Sequence, residues 1–207
     1  MKIAIVNLDI GNLGSVRRAF EDLGAEVFIA DDPAAICDAD RIVLPGVGAF
    51  SEGMTRLENS GWSGALNNAV LQQRKPLLGI CLGMHLLATN GHEGGETKGL
   101  GFIPGNVWRL DAMGCSLRIP HMGWNEVRYQ KSDTLVDGIP DLSDFYFVHS
   151  YAFALDNQDD LIATAPYDCE VAAIVRHDNI FGCQFHPEKS SKAGRRLLKN
   201  FMEHPAC

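Results

Sequence analysis

No stretch of this 207-residue sequence is long and apolar enough to cross a membrane. The longest apolar run, Leu77 to Thr89, is broken by Gly79, Gly83 and His85 and falls short of the ~18 residues a spanning helix needs. Positive charge is also scarce. Lys and Arg total 18 against 26 Asp and Glu, a formal charge of −8, which excludes the basic footprint of broad nucleic-acid or anionic-membrane binding. No C-x-x-C pair occurs, and no cysteine stands at zinc-ligand spacing from a histidine, so neither a zinc site nor any other metal site is expected. The G-x-x-x-x-G-K phosphate loop is missing. No apolar h-region with a cleavage site is visible after Met1-Lys2, so the expectation is a soluble, cytoplasmic protein. Six cysteines are scattered along the chain, and in a reducing compartment most are expected to be small, buried and inert.

What is present is a full-sized apolar fraction, 46%, and an alternation of strands and helices. Ile3 to Leu8, Glu26 to Ala30, Arg41 to Leu44 and Pro76 to Ile80 read as buried strands. Between them lie helices over Leu13 to Leu23, ended by Gly24, and over Ser51 to Arg74 with a break at Ser60-Gly61; a weak helix follows Asp32-Pro33 and another starts at Leu82. Such alternation predicts a mostly parallel α/β sheet covered by helices on both faces. From Val107 the texture changes. Val107 to Leu110, Leu117 to Pro120, Asn125 to Gln130, Phe145 to His149, Leu161 to Ala165, Val171 to His177 and Ile180 to Phe185 are short β-like runs, read as an antiparallel extension of that sheet. Ser190 to Glu203 predicts a closing helix with Ser190 or Ser191 as N-cap. No linker or repeat divides residues 1–207, which read as one domain.

Chemistry concentrates in Gly79-Ile80-Cys81-Leu82-Gly83-Met84. A buried strand runs through G-x-C-x-G into a helix, the pattern of a nucleophile elbow with sulfur in place of a serine oxygen. A helix N-terminus favours an anionic sulfur there, and the N–H of Leu82 can face a developing oxyanion. The plainer alternative is a buried cysteine at a strand–helix junction. His186-Pro187-Glu188 follows the last strand, and residues two apart in extended chain face the same side. Glu188 can therefore orient His186, and His186 can deprotonate Cys81; alone, this motif is equally a strand-terminal histidine with a solvated acid. Pro45-Gly46-Val47-Gly48 ends a strand with glycines that let peptide N–H groups at Val47 and Gly48 complete an oxyanion hole, or simply make a turn.

These three motifs together resemble the class I glutamine amidotransferases, whose architecture is flavodoxin-like. Pro120-His121-Met122-Gly123-Trp124-Asn125 and Phe145-Tyr146-Phe147-Val148-His149-Ser150-Tyr151 are similar, more narrowly, to the glutaminase subunit of imidazole glycerol phosphate synthase. The resemblance runs from Gly11-Asn12-Leu13 to the final helix. It implies that Cys81, His186 and Glu188 hydrolyse L-glutamine to glutamate and ammonia, with no cofactor, and that Ser150 and Tyr151 flank the substrate. It further implies a heterodimer in which ammonia passes to a (β/α)8-barrel cyclase. That partner would make imidazole glycerol phosphate and an aminoimidazole ribonucleotide in histidine biosynthesis. Asn12, Trp124, Asn125 and Lys189 match positions at that interface.

One departure is His85, where the family usually carries Gln. One helical turn after Cys81 it shares the nucleophile's face, and an imidazole there predicts weaker or pH-sensitive glutamine use. Cys169 stands where glycine is commoner and reads as a neutral loop change. His92, His177 and His204 read as exposed, and His149 as a substrate neighbour or a structural histidine. Besides Lys189, the cations Lys192, Arg195, Arg196 and Lys199 read as a docking face or a solvated one. Three other readings stand beside the leading one: a related subunit serving amidination of surface-polysaccharide sugars, a non-catalytic regulatory subunit, and a cysteine peptidase. The last lacks the histidine expected beside the nucleophile, where Leu82 stands.

Overall fold

The computed structural model describes residues 1–205. In chain order the elements are β1 (Lys2–Val6), α1 (Leu13–Glu21), β2 (Glu26–Ala30), β3 (Arg41–Gly46), α2 (Phe50–Asn59), α3 (Trp62–Leu66), β4 (Leu77–Cys81) and α4 (Leu82–Leu86). There follow β5 (Asn90–Gly91), β6 (Thr97–Lys98), β7 (Gly105–Arg109), β8 (His121–Tyr129), β9 (Ser143–His149), β10 (Tyr151–Leu155), β11 (Leu161–Pro166), β12 (Glu170–His177), β13 (Ile180–Cys183) and α5 (Ser191–Glu203).

Nine strands form the main sheet in the order β2-β1-β3-β4-β13-β12-β11-β8-β9. The first five run parallel, the 2-1-3-4-5 arrangement of the flavodoxin-like doubly wound fold; the rest are antiparallel. Side-chain alternation sorts the core onto the two faces. Ile3 and Ile5 of β1 point to one face, packed with Phe20 of α1 and Phe201 of α5. Ala4 and Val6 point to the other, packed with Trp62, Leu57 and Leu86. The expected α/β architecture is present.

Several expectations are corrected. Val107 belongs to a separate four-stranded sheet, β10-β7-β5-β6, not to an extension of the main one. The chain changes sheet at Ser150, between β9 and β10. Leu117 to Pro120 is irregular rather than a strand, and contains a cis Ile119–Pro120 bond. The helical region 51–74 breaks at Gly61 (φ 76°), as expected, but its last part is a π-helical turn, Asn67–Gln72. Ser190 precedes α5 but its hydroxyl does not cap the helix; it donates to the His186 carbonyl at 2.6 Å and accepts from Tyr146 N at 3.0 Å. The cysteines are less uniform than expected. Cys81 and Cys183 are free and buried, Cys37 is exposed, and Cys115 is joined to Cys169 by a disulfide, so Cys169 is no neutral change. Cys207 lies outside the described residues.

Candidate active site

β4 runs through the middle of the sheet between β3 and β13, with Gly46 paired to Cys81 and Cys183 to Ile80. Parallel neighbours end at the same edge, so Cys81 and His186, three residues beyond Cys183, emerge side by side. That C-terminal edge is where open α/β sheets place their ligands. Cys81 itself takes the left-handed backbone, φ 54° and ψ −112°, at a cost of roughly 1–3 kcal/mol. The flanking glycines do not have positive φ; packing requires them. A Cβ on Gly83 would lie 1.7 Å from the Leu44 carbonyl oxygen, and one on Gly79 2.7 Å from Gly83 O. Helix α4 is thereby pressed onto β3, and the sulfur is pushed out at the turn.

His186 Nδ1 is 2.9 Å from Glu188 Oε1, with side chains 5% and 3% exposed. Glu188 accepts, so Nδ1 carries a proton, and Nε2 is the ring nitrogen turned away from the carboxylate. Nε2 is buried with no hydrogen-bond partner; the neighbouring titratable groups that act on the ring are Cys81 and Glu188. Burial works against the imidazolium, yet hydrogen bonding and charge from Cys81 and Glu188 outweigh it and raise the ring to about 9. The turn holding His186 is pinned to β9, since His186 N donates to Tyr146 O at 2.9 Å.

A cavity of about 280 Å³ opens beside the sulfur, lined by Val47, Gly48, Cys81, Leu82, His85, Glu93 and Val148 to Tyr151. Its size is at the low end for small-molecule sites. Two larger cavities, 520 and 730 Å³, lack Cys81. All the expected nucleophile, oxyanion and substrate positions therefore share one space: Cys81, Val47, Gly48, Leu82, His85, Ser150 and Tyr151. His85 is 5% exposed, and its Nε2 is 2.7 Å from Gln184 Oε1. With that oxygen accepting, Nδ1 is left as an acceptor. Burial, only partly offset by Gln184, lowers His85 to about 4. The ring is neutral at neutral pH, which removes the basis for pH-sensitive substrate use near neutrality.

Sequence reasoning missed Glu93. Its Oε2 accepts from Phe50 N at 2.8 Å, capping α2 while lining the cavity, and no motif marked it. The interface candidates divide. Trp124 and Lys189 are exposed and both approach the Tyr146 ring, at 6.0 and 5.9 Å, and Asn12 is exposed with its Oδ1 capping α1. Asn125 faces the other side of β8, as strand alternation dictates, and its amide donates to Pro166 O at 2.8 Å and approaches His121 Nε2 at 3.2 Å. The other histidines are less free than expected. His92 stacks on Trp108 at 3.5 Å, His177 meets Asp160 at 3.0 Å, and His204 is buried against Thr134. His149 lines the cavity and is also structural, its Nδ1 donating to Tyr151 O at 2.8 Å. Lys192, Arg195, Arg196 and Lys199 are exposed; Arg195 and Arg196 hold backbone carbonyls of Asp22 and Asp137. Among the described residues no group of three or more His, Cys, Asp or Glu is placed to hold a metal.

A sulfur, an imidazole and a buried carboxylate at a sheet edge, with a cavity beside the sulfur, are equipped for acyl transfer through a thioester. Residues 5–204 match the family described as Glutamine amidotransferase class-I, and the chain belongs to that family. It is 48% identical over 200 residues to Imidazole glycerol phosphate synthase subunit HisH 1 of Campylobacter jejuni subsp. jejuni serotype O:23/36 (strain 81-176), covering 96% of this chain and 98% of that protein. It is 45% identical to Imidazole glycerol phosphate synthase subunit HisH of Moorella thermoacetica, covering 97% and 94%. Among solved structures, a glutamine amidotransferase from Thermotoga maritima shares the fold with a TM-score of 0.68 at 18% identity, covering 98% of this chain and 83% of that one.

The Gly83 contact generates a direct test. Gly83→Ala is expected to cost at least ~3 kcal/mol, because a backbone carbonyl cannot rotate aside as a side chain does. Chemical denaturation reads this, and wild-type stability would contradict the packing account of the elbow.

Proposed function

We propose that this chain is the glutaminase subunit of an imidazole glycerol phosphate synthase, acting as one domain over residues 1–207 in the cytoplasm. The observation that carries the reading is Cys81 at the strained turn, lining the cavity, with His186 and its buried Glu188 partner at the same sheet edge. The His186 imidazolium holds on Nε2 the proton given up by the Cys81 thiol, and the sulfur attacks the side-chain carboxamide carbon of L-glutamine. The tetrahedral oxyanion is met by the N–H of Leu82 and by peptide groups at Val47 and Gly48, where φ of 105° at Gly48 requires glycine. The imidazolium, oriented by Glu188, returns its proton to the leaving nitrogen. Ammonia departs, and water activated by the neutral ring hydrolyses the γ-glutamyl thioester to glutamate. No cofactor enters this scheme.

The rest of the cavity serves the invariant end of the substrate. Glu93, held by the Phe50 N–H, supplies the one carboxylate among the described residues lining the cavity and pairs with the α-ammonium. His85 Nδ1 accepts from a substrate N–H, with Ser150 and Tyr151 flanking the chain. Ammonia then passes to a (β/α)8-barrel cyclase docked on the face that carries Asn12, Trp124 and Lys189. The cyclase uses it to form imidazole glycerol phosphate and an aminoimidazole carboxamide ribonucleotide in histidine biosynthesis. Asn125, bonded internally, supports that face from behind.

Glutamate release is expected to be slow for the subunit alone and to rise at least ~100-fold with the cyclase and its nucleotide substrate. Cys81→Ala should remove at least ~1,000-fold of the activity. Fast release that persists in Cys81→Ala would overturn the assignment. Glu93→Gln is expected to raise the glutamine KM about 10-fold or more with a smaller change in kcat, as loss of a charged binding contact does. An unchanged KM would remove Glu93 from substrate binding.

A further inference from the structure

Between β7 and β8 the chain runs as an irregular strap, residues 110–120, whose two ends are tied to the cavity wall. At one end Leu110 N donates to Ser150 O at 3.0 Å. At the other, His121 Nδ1 is 2.9 Å from His149 Nε2, and His149 Nδ1 donates to Tyr151 O at 2.8 Å. Because His149 Nδ1 holds its proton, His149 Nε2 accepts and His121 Nδ1 donates. Burial lowers His121 to about 4 and, with the charge of His121, lowers His149 to about 3. Both rings are therefore neutral at neutral pH, as this chain of bonds needs.

The middle of the strap is held by the turn between β11 and β12. Cys115 is bonded to Cys169 across a Cα–Cα distance of 5.3 Å and a separation of 54 residues, within the span a disulfide requires. Ser116 N donates to Asp168 Oδ2 at 2.8 Å, and the Tyr167 hydroxyl donates to Arg118 O. The Tyr167 ring stacks on His121 at 4.0 Å. A small cluster of Leu110, Cys115, Ala152 and Val171 packs beneath, with Met113, Ile119, Tyr167 and Cys169 half-buried against it, so the strap rests on a small apolar base once the covalent link is opened. Cys115 is buried while Cys169 is half-exposed, leaving Cys169 as the sulfur that reagents reach.

We propose that Cys115 and Cys169 form a reversible thiol–disulfide site whose state sets the order of the strap and, through Ser150 and the His121–His149 pair, the affinity of the cavity for glutamine. The last clause rests on the glutaminase reading. The oxidant is a small disulfide such as oxidised glutathione. The Cys169 thiolate attacks it, forming a mixed disulfide and releasing one thiolate. Cys115, deprotonated, then attacks the Cys169 sulfur and expels the second. Two electrons and two protons leave the protein, and one oxidant disulfide becomes two thiols. An excess of reduced glutathione reverses both steps.

The test equilibrates the full chain with reduced or oxidised glutathione and follows three readouts. Mass spectrometry after alkylation is expected to find a Cys115–Cys169 linked peptide under oxidising conditions alone. Hydrogen exchange across residues 110–121 is expected to be at least tenfold slower in that state. The glutamine KM is expected to fall threefold or more on oxidation in the wild type but not in Cys169→Ser, which removes the pair at a half-exposed position and controls for oxidation of Cys81 or Cys37. Absence of the linked peptide overturns the proposal. So does a linked peptide without slower exchange, or a KM shift of the same size in Cys169→Ser. Linkage and slowed exchange in a chain with no glutaminase activity would uphold the redox site and overturn the glutaminase reading instead.

Discussion

The contact between Gly83 and the Leu44 carbonyl is the constraint on which the site depends. It presses the start of α4 onto β3, where any side chain on residue 83 would collide with backbone. With α4 so close to the sheet, the chain has one residue in which to leave β4 and begin the helix, and Cys81 takes the left-handed backbone. The strain is sustained because β4 is hydrogen-bonded on both sides, by β3 and β13. A strained residue at the middle of a sheet is over-determined by its surroundings, which is how such conformations persist.

The same central position gathers everything else. β3 brings Val47 and Gly48 to the edge, β13 brings His186 and Glu188, and β9 brings Val148 to Ser150 before the chain crosses to the second sheet. The cavity is thus a seam between two sheets rather than a hollow within one. Polar groups near the sulfur are arranged in pairs that fix proton positions: Glu188 on His186, Gln184 on His85, and the Tyr151 carbonyl on His149. Their effects on charge diverge. Burial keeps His85 and His149 neutral, whereas at His186 the neighbouring sulfur and carboxylate overcome burial and favour the cation. Three buried imidazoles near one sulfur therefore take different roles, set by their partners.

Much of this was legible in the sequence. Pro76 to Ile80 reads as a buried strand because a short apolar run precedes an abrupt helix, and the elbow follows from G-x-C-x-G. The parallel half of the sheet was equally readable, since its helices carry clear 3.6-residue periodicity. The second sheet was not, because β5 and β6 have two residues each and show no period. The orientation of Asn125 depended on the register of β8, which the motif P-H-M-G-W-N does not reveal. The Cys115–Cys169 pair was hidden by a separation of 54 residues with no spacing rule to mark it. Glu93 was missed because its partner, the Phe50 N–H, is a backbone group supplied by the fold.

The central claim is that Cys81 and His186, held by the strained turn, act on each other as a coupled pair. Titrating the His186 imidazole by NMR in the full chain tests this most directly. The account predicts an imidazolium that persists to about pH 9 and a marked fall in that value when Cys81 is replaced by Ala, since burial then meets less opposition. A ring that titrates near the ordinary 6.5 in the wild type, indifferent to the sulfur, would contradict it.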